Sequence, residues 1–206
     1  MARANQGAYD AGMGNPPCRV AGVVLAAGLG TRMGAPGSKV LRRVEGAPMV
    51  ARVVDALMAG GVSEVVVVTG HEAAAVQAAL TGRGVRFVGN PGFAEGLSTS
   101  VRAGIAALGD VDGAVVALGD MPWVSAGDVA ALIEAFARSG RIAAPVCEGR
   151  RGNPVLWPAR YFAALGRLEG DVGARAVLAA HTDDLETVPA SRGVLRDVDT
   201  PEDLPG

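Results

Sequence analysis

Val23–Lys39 reads VVLAAGLGTRMGAPGSK, and the apolar run that feeds it starts at Val20 and ends at Ala27. A buried strand that opens into a glycine-rich loop brings backbone N–H groups up to phosphate oxygens. Gly28, Gly30, Gly34 and Gly37 let the main chain approach closely, and Arg32 and Lys39 add positive charge suited to a triphosphate. Lys39 is the only lysine among the 19 basic residues. In a chain drifted to arginine, that lysine points to a place where a compact ammonium is wanted and a planar guanidinium does not fit. Taken alone, the loop is also compatible with a plain strand-to-helix turn. It is not a P-loop, because no Gly-Lys-Ser/Thr follows.

The rest of the chain alternates in the same way. Apolar residues at helical spacing run over Ala47–Ala59 and stop at Gly60-Gly61, and Val65–Val68 is a continuous β-branched run. A helix over Glu72–Leu80, a strand over Val85–Val88, a helix over Leu97–Leu108 and a strand over Ala114–Leu118 follow. Next come a helix capped by Ser125 that runs to about Arg138, and a strand over Ile142–Val146. Beyond Arg150 the pattern changes. A loop leads into a short strand at Val155, helical stretches cover Ala159–Leu168 and Gly173–Ala180, and Thr187-Val188 fit a last strand. Pro201 marks a helix start at Asp199 or Thr200.

This alternation predicts an α/β fold: a doubly wound, mainly parallel sheet with helices on both faces. Ligands in such sheets bind beyond the strand C-termini. The glycine loop, Gly70-His71, Asn90 and Asp120 each follow a predicted strand and so fall on one rim. Met1–Pro17 is polar and glycine-rich without an apolar core, which predicts a disordered tail before a single domain over 18–206.

Composition excludes several classes. A formal charge of -2 gives no basic field for nucleic acid. No apolar run approaches the roughly 20 residues of a membrane span. The two cysteines, Cys18 and Cys147, do not make a disulfide framework or a metal spacing. A cytoplasmic protein is the expectation. His181 reads as a surface residue and His71 as a loop residue on the rim.

Asp120 ends a wholly apolar strand, where an unpaired carboxylate is costly. It is either a turn-capping residue before Met121-Pro122 or a ligand for Mg²⁺, which takes one or two carboxylates and leaves its other positions to phosphate and water. Asp199 is the natural second carboxylate, and an N-cap role explains it equally well. Together these parts are a glycine cradle, an arginine, a lysine, two carboxylates and no general base. They suit attack by an already ionised phosphate on a nucleotide α-phosphate.

The motif from Leu25 to Gly34, followed by Lys39, resembles the signature of nucleotidyltransferases that couple an NTP to a phosphorylated acceptor. Asn90-Pro91, Gly96-Leu97-Ser98-Thr99-Ser100, Leu118–Pro122, Gly152–Val155, Gly170–Arg175 and Asp197–Leu204 follow in the order of one branch. That branch is the molybdenum cofactor cytidylyltransferases within the MobA-like NTP transferases, and the likeness covers Val20–Leu204. The resemblance implies a Rossmann-like nucleotidyltransferase fold. It also implies Mg²⁺-dependent transfer from CTP to the phosphate of molybdopterin, with pyrophosphate released, and a molybdoenzyme or its chaperone as partner. Leu25, Ala26, Ala27, Gly28, Gly30, Thr31, Arg32, Lys39, Gly70, Asn90 and Ser98 would bind the nucleotide, with Arg32, Lys39 and Asp120 catalytic. Asp120 and Asp199 would hold the metal. Gly152, Asn153, Pro154 and Asp171 would face the acceptor. GTP or another NTP remains the alternative nucleotide. A sugar phosphate, an isoprenoid-precursor phosphate or a phospholactate remains the alternative acceptor. A non-catalytic protein that binds nucleotide or delivers cofactor is the third reading.

Overall fold

The computed structural model describes residues 18–28, 37–170 and 174–203. The predicted tail at 1–17 lies outside them, as do Gly30, Thr31, Arg32 and Asp171.

Strand β1 (Val20–Ala26) is buried along its whole length. It pairs in parallel with β4 (Glu64–Thr69) on one side and β6 (Gly113–Leu118) on the other. Short β2 (Arg43–Val44) and β3 (Ala47–Pro48) form a separate antiparallel ribbon. The main sheet extends through β5 (Arg86–Gly89) at one edge. Beyond β6 it continues through β9 (Val155–Pro158), β7 (Ile142–Cys147) and β10 (Leu185–Pro189), with β8 (Arg150–Arg151) hairpinned onto β7. Among the described residues this makes eight strands, in the order β10-β7-β9-β6-β1-β4-β5 with β8 beside β7. β9 runs antiparallel to both its neighbours.

Side chains of β1 alternate between two apolar cores, as strand geometry requires. Val20, Val24 and Ala26 join the core under α1 (Met49–Ala59), α2 (Ala73–Ala79) and α4 (Ala126–Ser139). Val23, Leu25 and Ala27 join the core under α3 (Leu97–Ala106), α5 (Phe162–Leu165) and α6 (Arg175–Ala180). The expected α/β sheet with helices on both faces is therefore the fold found. Gly104 allows α3 to lie against the sheet, since a Cβ there would meet Val23 Cγ1 at 2.4 Å.

Several boundaries differ from the sequence reading. The helix expected from Ala47 starts at Met49, because Ala47-Pro48 is drawn into the ribbon with Arg43-Val44. The stretch Ala159–Leu168 breaks into a 3-10 turn and the four-residue α5. The helix expected from Gly173 covers Arg175–Ala180.

From β1 the chain builds outward through β4 and β5, then returns to lay β6 against the other edge of β1. The crevice between the C-terminal ends of β1 and β6 is thus the topological switch point, where open α/β sheets place their ligands.

Candidate active site

The loops on this rim are laced together by main-chain hydrogen bonds. His71 N–H donates to Ala27 O at 3.2 Å, Asn90 N–H to Thr69 O at 2.7 Å and Gly119 N–H to Leu25 O at 3.0 Å. Gly70 has no room for a side chain, because a Cβ would lie 2.8 Å from Phe93 and 2.9 Å from Ala27.

Lys39 opens a short 3-10 turn, Lys39–Leu41, directly after the glycine-rich loop. The turn is tethered by Glu72, whose carboxylate accepts the N–H of Ser38 at 2.5 Å. Glu72 itself sits at φ 52°, a costly conformation for a residue with a Cβ, and so marks a locally strained junction. The Lys39 ammonium lies 2.7 Å from Asp120 Oδ2 and 2.7 Å from Asp199 Oδ1. Its side chain is 14% exposed, against 20% for Asp120 and 40% for Asp199. Burial by itself would lower the Lys39 pKa. The two carboxylates outweigh it and leave the ammonium above its ordinary value, Asp120 first.

This geometry bears on the two readings of each carboxylate. Asp120 turns Oδ2 to Lys39, and its Oδ1 is buried without a hydrogen-bond partner among the described residues. Near Pro201 the carboxylate that binds main-chain N–H groups is that of Asp203. Its Oδ2 accepts the N–H groups of Asp199 and Thr200, at 3.0 and 2.8 Å, and the Thr200 hydroxyl at 3.0 Å. Asp199 is thereby left to face Lys39. A buried carboxylate oxygen without a donor, beside a second carboxylate, fits a hard divalent cation. Among the described residues no group of three metal-binding side chains exists. The remaining positions of such an ion would then belong to phosphate oxygens and water.

Two cavities meet here. The smaller, about 320 Å³, is lined by Leu25, Ala27, Gly28, Lys39 and Asp120, all read from the sequence as nucleotide or metal residues. Phe93, Gly96, Leu97, Ser100 and Leu118 are among its other lining residues. The larger, about 860 Å³, shares Leu25, Leu97 and Leu118 with the first and reaches Gly152 and Asn153, two of the residues expected at the acceptor. Pro154 is buried beside them and lines neither cavity.

Other expected residues are placed differently. Ala26 turns its side chain into the opposite core, which leaves its main chain for the expected nucleotide contact. Ser98 is 1% exposed, lines neither cavity and has a hydroxyl without a partner among the described residues, whereas Ser100 reaches the smaller cavity. The amide of Asn90 donates to Thr99 Oγ1 at 2.8 Å and Ser100 Oγ at 3.0 Å, while its Oδ1 accepts Gly92 N–H at 3.0 Å. Both amide donors are used inside the protein, so the side chain ties β5 to the start of α3. Sequence reasoning passed over Glu72, Phe93 and the arginines of the larger cavity, Arg150, Arg151 and Arg175. An adjacent arginine pair just after a Glu-Gly turn was the available signal for two of them.

Residues 22–185 match the model of the MobA-like NTP transferase domain. Nicotine blue oxidoreductase of Paenarthrobacter nicotinovorans is 35% identical over 199 residues, covering 91% of this chain and 95% of that protein. The bifunctional protein GlmU of Cupriavidus necator is 40% identical over 111 residues, 54% of this chain, and the match spans about a quarter of GlmU. A nucleotidyl transferase from Methanothermobacter superposes with a TM-score of 0.78 at 29% identity, covering 92% of this chain and 94% of that one. Rv0371c of Mycobacterium tuberculosis, solved in complex with manganese, superposes with a TM-score of 0.75 at 25% identity, over 90% of this chain and 95% of its own. With this match spanning most of the described sheet, and with the lysine and both carboxylates at its switch point, the chain belongs to the MobA-like NTP transferase family, and nucleotidyl transfer is the activity that its family and site support.

Proposed function

We propose that the chain transfers a cytidylyl group from CTP to the phosphate of a molybdopterin-type acceptor and releases pyrophosphate. The observation that carries this reading is Lys39, held between Asp120 and Asp199 at 2.7 Å from each, in the smaller of two cavities that share lining residues. The smaller cavity, lined by Gly28, takes the nucleotide. The larger takes the acceptor. An acceptor phosphate oxygen attacks the α-phosphorus, the bond to the β-phosphate oxygen breaks and pyrophosphate leaves. The nucleophile is already ionised, so the site needs charge neutralisation and alignment rather than a base. Asp120 and Asp199 would hold Mg²⁺, which when bound supplies charge neutralisation on the triphosphate. Lys39 places a point charge beside the reacting phosphate, and Leu25, Ala27 and Gly28 position the nucleotide through their main chain. Cytosine preference, a molybdoenzyme or its chaperone as partner and a cytoplasmic setting rest on the resemblance in motif order. Among the described residues no helix is long and apolar enough to cross a membrane.

The name of the Paenarthrobacter relative supports a second reading, an oxidoreductase. One experiment separates them: CTP, GTP, ATP and UTP are compared with Mg²⁺ by thermal shift, then by pyrophosphate release with molybdopterin. Greater stabilisation by CTP and acceptor-dependent pyrophosphate release support the transfer reading, since a ligand of the folded state raises apparent stability. Equal or greater stabilisation by GTP overturns the cytidylyl assignment. Absence of pyrophosphate release with every nucleotide overturns transfer itself.

A further inference from the structure

The larger cavity has a charge pattern that a single reacting phosphate does not explain. Arg150, Arg151 and Arg175 line it, and no aspartate or glutamate does among the described residues. None of the three side chains has an ion-pair or hydrogen-bond partner among the described residues, whereas Arg52, Arg83, Arg86, Arg138, Arg141, Arg160 and Arg192 are each ion-paired. The floor beneath them is apolar: Trp157, Val101 and Leu178 are all at least nine-tenths buried. All three arginines are exposed, and positive charge gathered along the lining of one cavity raises the local potential for an anion.

The arginines come from two separate elements. Arg175 opens α6. Arg150 and Arg151 form β8, paired antiparallel with Cys147 and Val146 of β7. The two-residue turn between those strands, Glu148-Gly149, has φ of 52° and 73°. Positive φ at both positions matches the right-handed twist of a hairpin, but asparagine or glycine is the usual first residue. The chain holds glutamate there, at a cost in backbone strain, and the ion pair of Glu148 with Arg192 pins the turn. This turn sets the backbone position of the two arginines, whose side chains leave the strand on opposite faces.

Resting on the reading of this cavity as the acceptor site, we propose that the acceptor carries a second anionic group, remote from its reacting phosphate, and that Arg150, Arg151 and Arg175 recognise it. The reacting phosphate belongs at the junction with the smaller cavity, near Lys39. The arginines bind the far end of the acceptor, and the apolar floor receives the body between. Acceptors with one phosphate and an otherwise neutral body leave the three guanidinium groups unused.

The test uses two probes with the same carbon chain, 6-phosphogluconate and sorbitol 6-phosphate, which differ in a terminal carboxylate. Each is titrated calorimetrically into the full chain with Mg²⁺ and α,β-methylene-CTP, which cannot transfer its nucleotidyl group. The carboxylate compound should bind about tenfold tighter, the scale of one charge-assisted bidentate contact. That preference should vanish in the triple variant Arg150→Gln, Arg151→Gln, Arg175→Gln, while affinity for the CTP analogue stays at the wild-type value. Equal affinity for the two probes, failure of both to bind or a preference that survives the triple substitution overturns the inference. Failure of the CTP analogue to bind the wild type would instead remove the transfer reading beneath it.

Discussion

The backbone N–H of Val198 donates to the backbone carbonyl of Asp120 at 3.0 Å. This bond joins the loop after β6 to the last described segment of the chain, one residue before Asp199. The two carboxylates that flank Lys39 are therefore spaced by main chain, and the ammonium bridges a pair already in register. The C-terminal segment is part of the site and has its own anchor upstream. The Asp128 carboxylate accepts Ser191 N–H at 2.8 Å and Ser191 Oγ–H at 2.8 Å, as well as the N–H of Ser125 at 2.9 Å and its hydroxyl at 2.7 Å.

Asp120→Asn keeps the shape of the side chain and removes its charge. It leaves Lys39 with Asp199 as its one partner from the pair and takes away the buried anionic oxygen suited to a cation. Mg²⁺-dependent turnover should fall by about two orders of magnitude or more, the scale of removing a major electrostatic stabiliser. Steady-state kinetics across a Mg²⁺ titration measure this. Wild-type turnover with unchanged metal dependence would return Asp120 to a structural role.

Asp128 yields a prediction in pH. It is 6% exposed; burial alone would push its carboxyl up, but the hydrogen bonds from Ser191 and Ser125 outweigh burial and hold it below its ordinary value. A carboxyl whose folded pKa is depressed contributes its full stability above the unfolded value, roughly 3.9, and loses it as pH falls through the folded value. Asp128→Asn should cost about 2 kcal/mol near neutral pH, because an amide offers fewer acceptors to the same donors. That corresponds to a Tm lower by roughly 4–8 °C. The gap from wild type should close as pH drops below about 4. Melting curves between neutrality and acid test it, and a gap independent of pH would contradict the assignment.

Much of the architecture was legible because it is local. The apolar runs at Val65–Val68 and Ala114–Leu118, and the Ser125 cap with its reciprocal partner Asp128, are written in neighbouring residues. The strands' direction was less so: Val155–Pro158 is as apolar as a parallel strand, and only its pairing shows that it runs the other way. Lys39 stood out as the lone lysine, but not its tie to Asp199, 160 residues away, which exists only after the C-terminal segment folds back. Asn90 and Ser98 show the opposite limit. A motif names polar residues, and packing decides which of them turn inward.

Two glycines should respond oppositely to alanine. At Gly152 a Cβ would lie 2.1 Å from the carbonyl oxygen of Val194, a main-chain atom that also accepts Asn153 N–H. The backbone must shift, so Gly152→Ala should cost about 1–3 kcal/mol and weaken acceptor binding more than CTP binding. At Gly127, exposed in the first turn of α4, a Cβ would meet only Ser125 Oγ at 3.7 Å. Gly127→Ala should stabilise by about 0.5 kcal/mol through helix propensity. Urea unfolding of both variants checks the signs, and a neutral Gly152→Ala would mean that the Val194 contact yields freely.

Lys39→Arg tests whether the lone lysine is chemical or accidental. The ammonium makes two 2.7 Å contacts from a mostly buried side chain, one to each carboxylate. A guanidinium is longer, planar and forked, and would satisfy one carboxylate edge-on while pushing its partner away. Charge is conserved, so the fold should survive with a melting temperature close to the wild type. The defect should fall mainly on kcat rather than KM, because the charge Lys39 stabilises grows in the transition state. Steady-state kinetics beside a thermal melt provide the reading. A near-wild-type kcat would show that any cation serves between Asp120 and Asp199, and the lysine's place at the centre of the transfer chemistry would be lost.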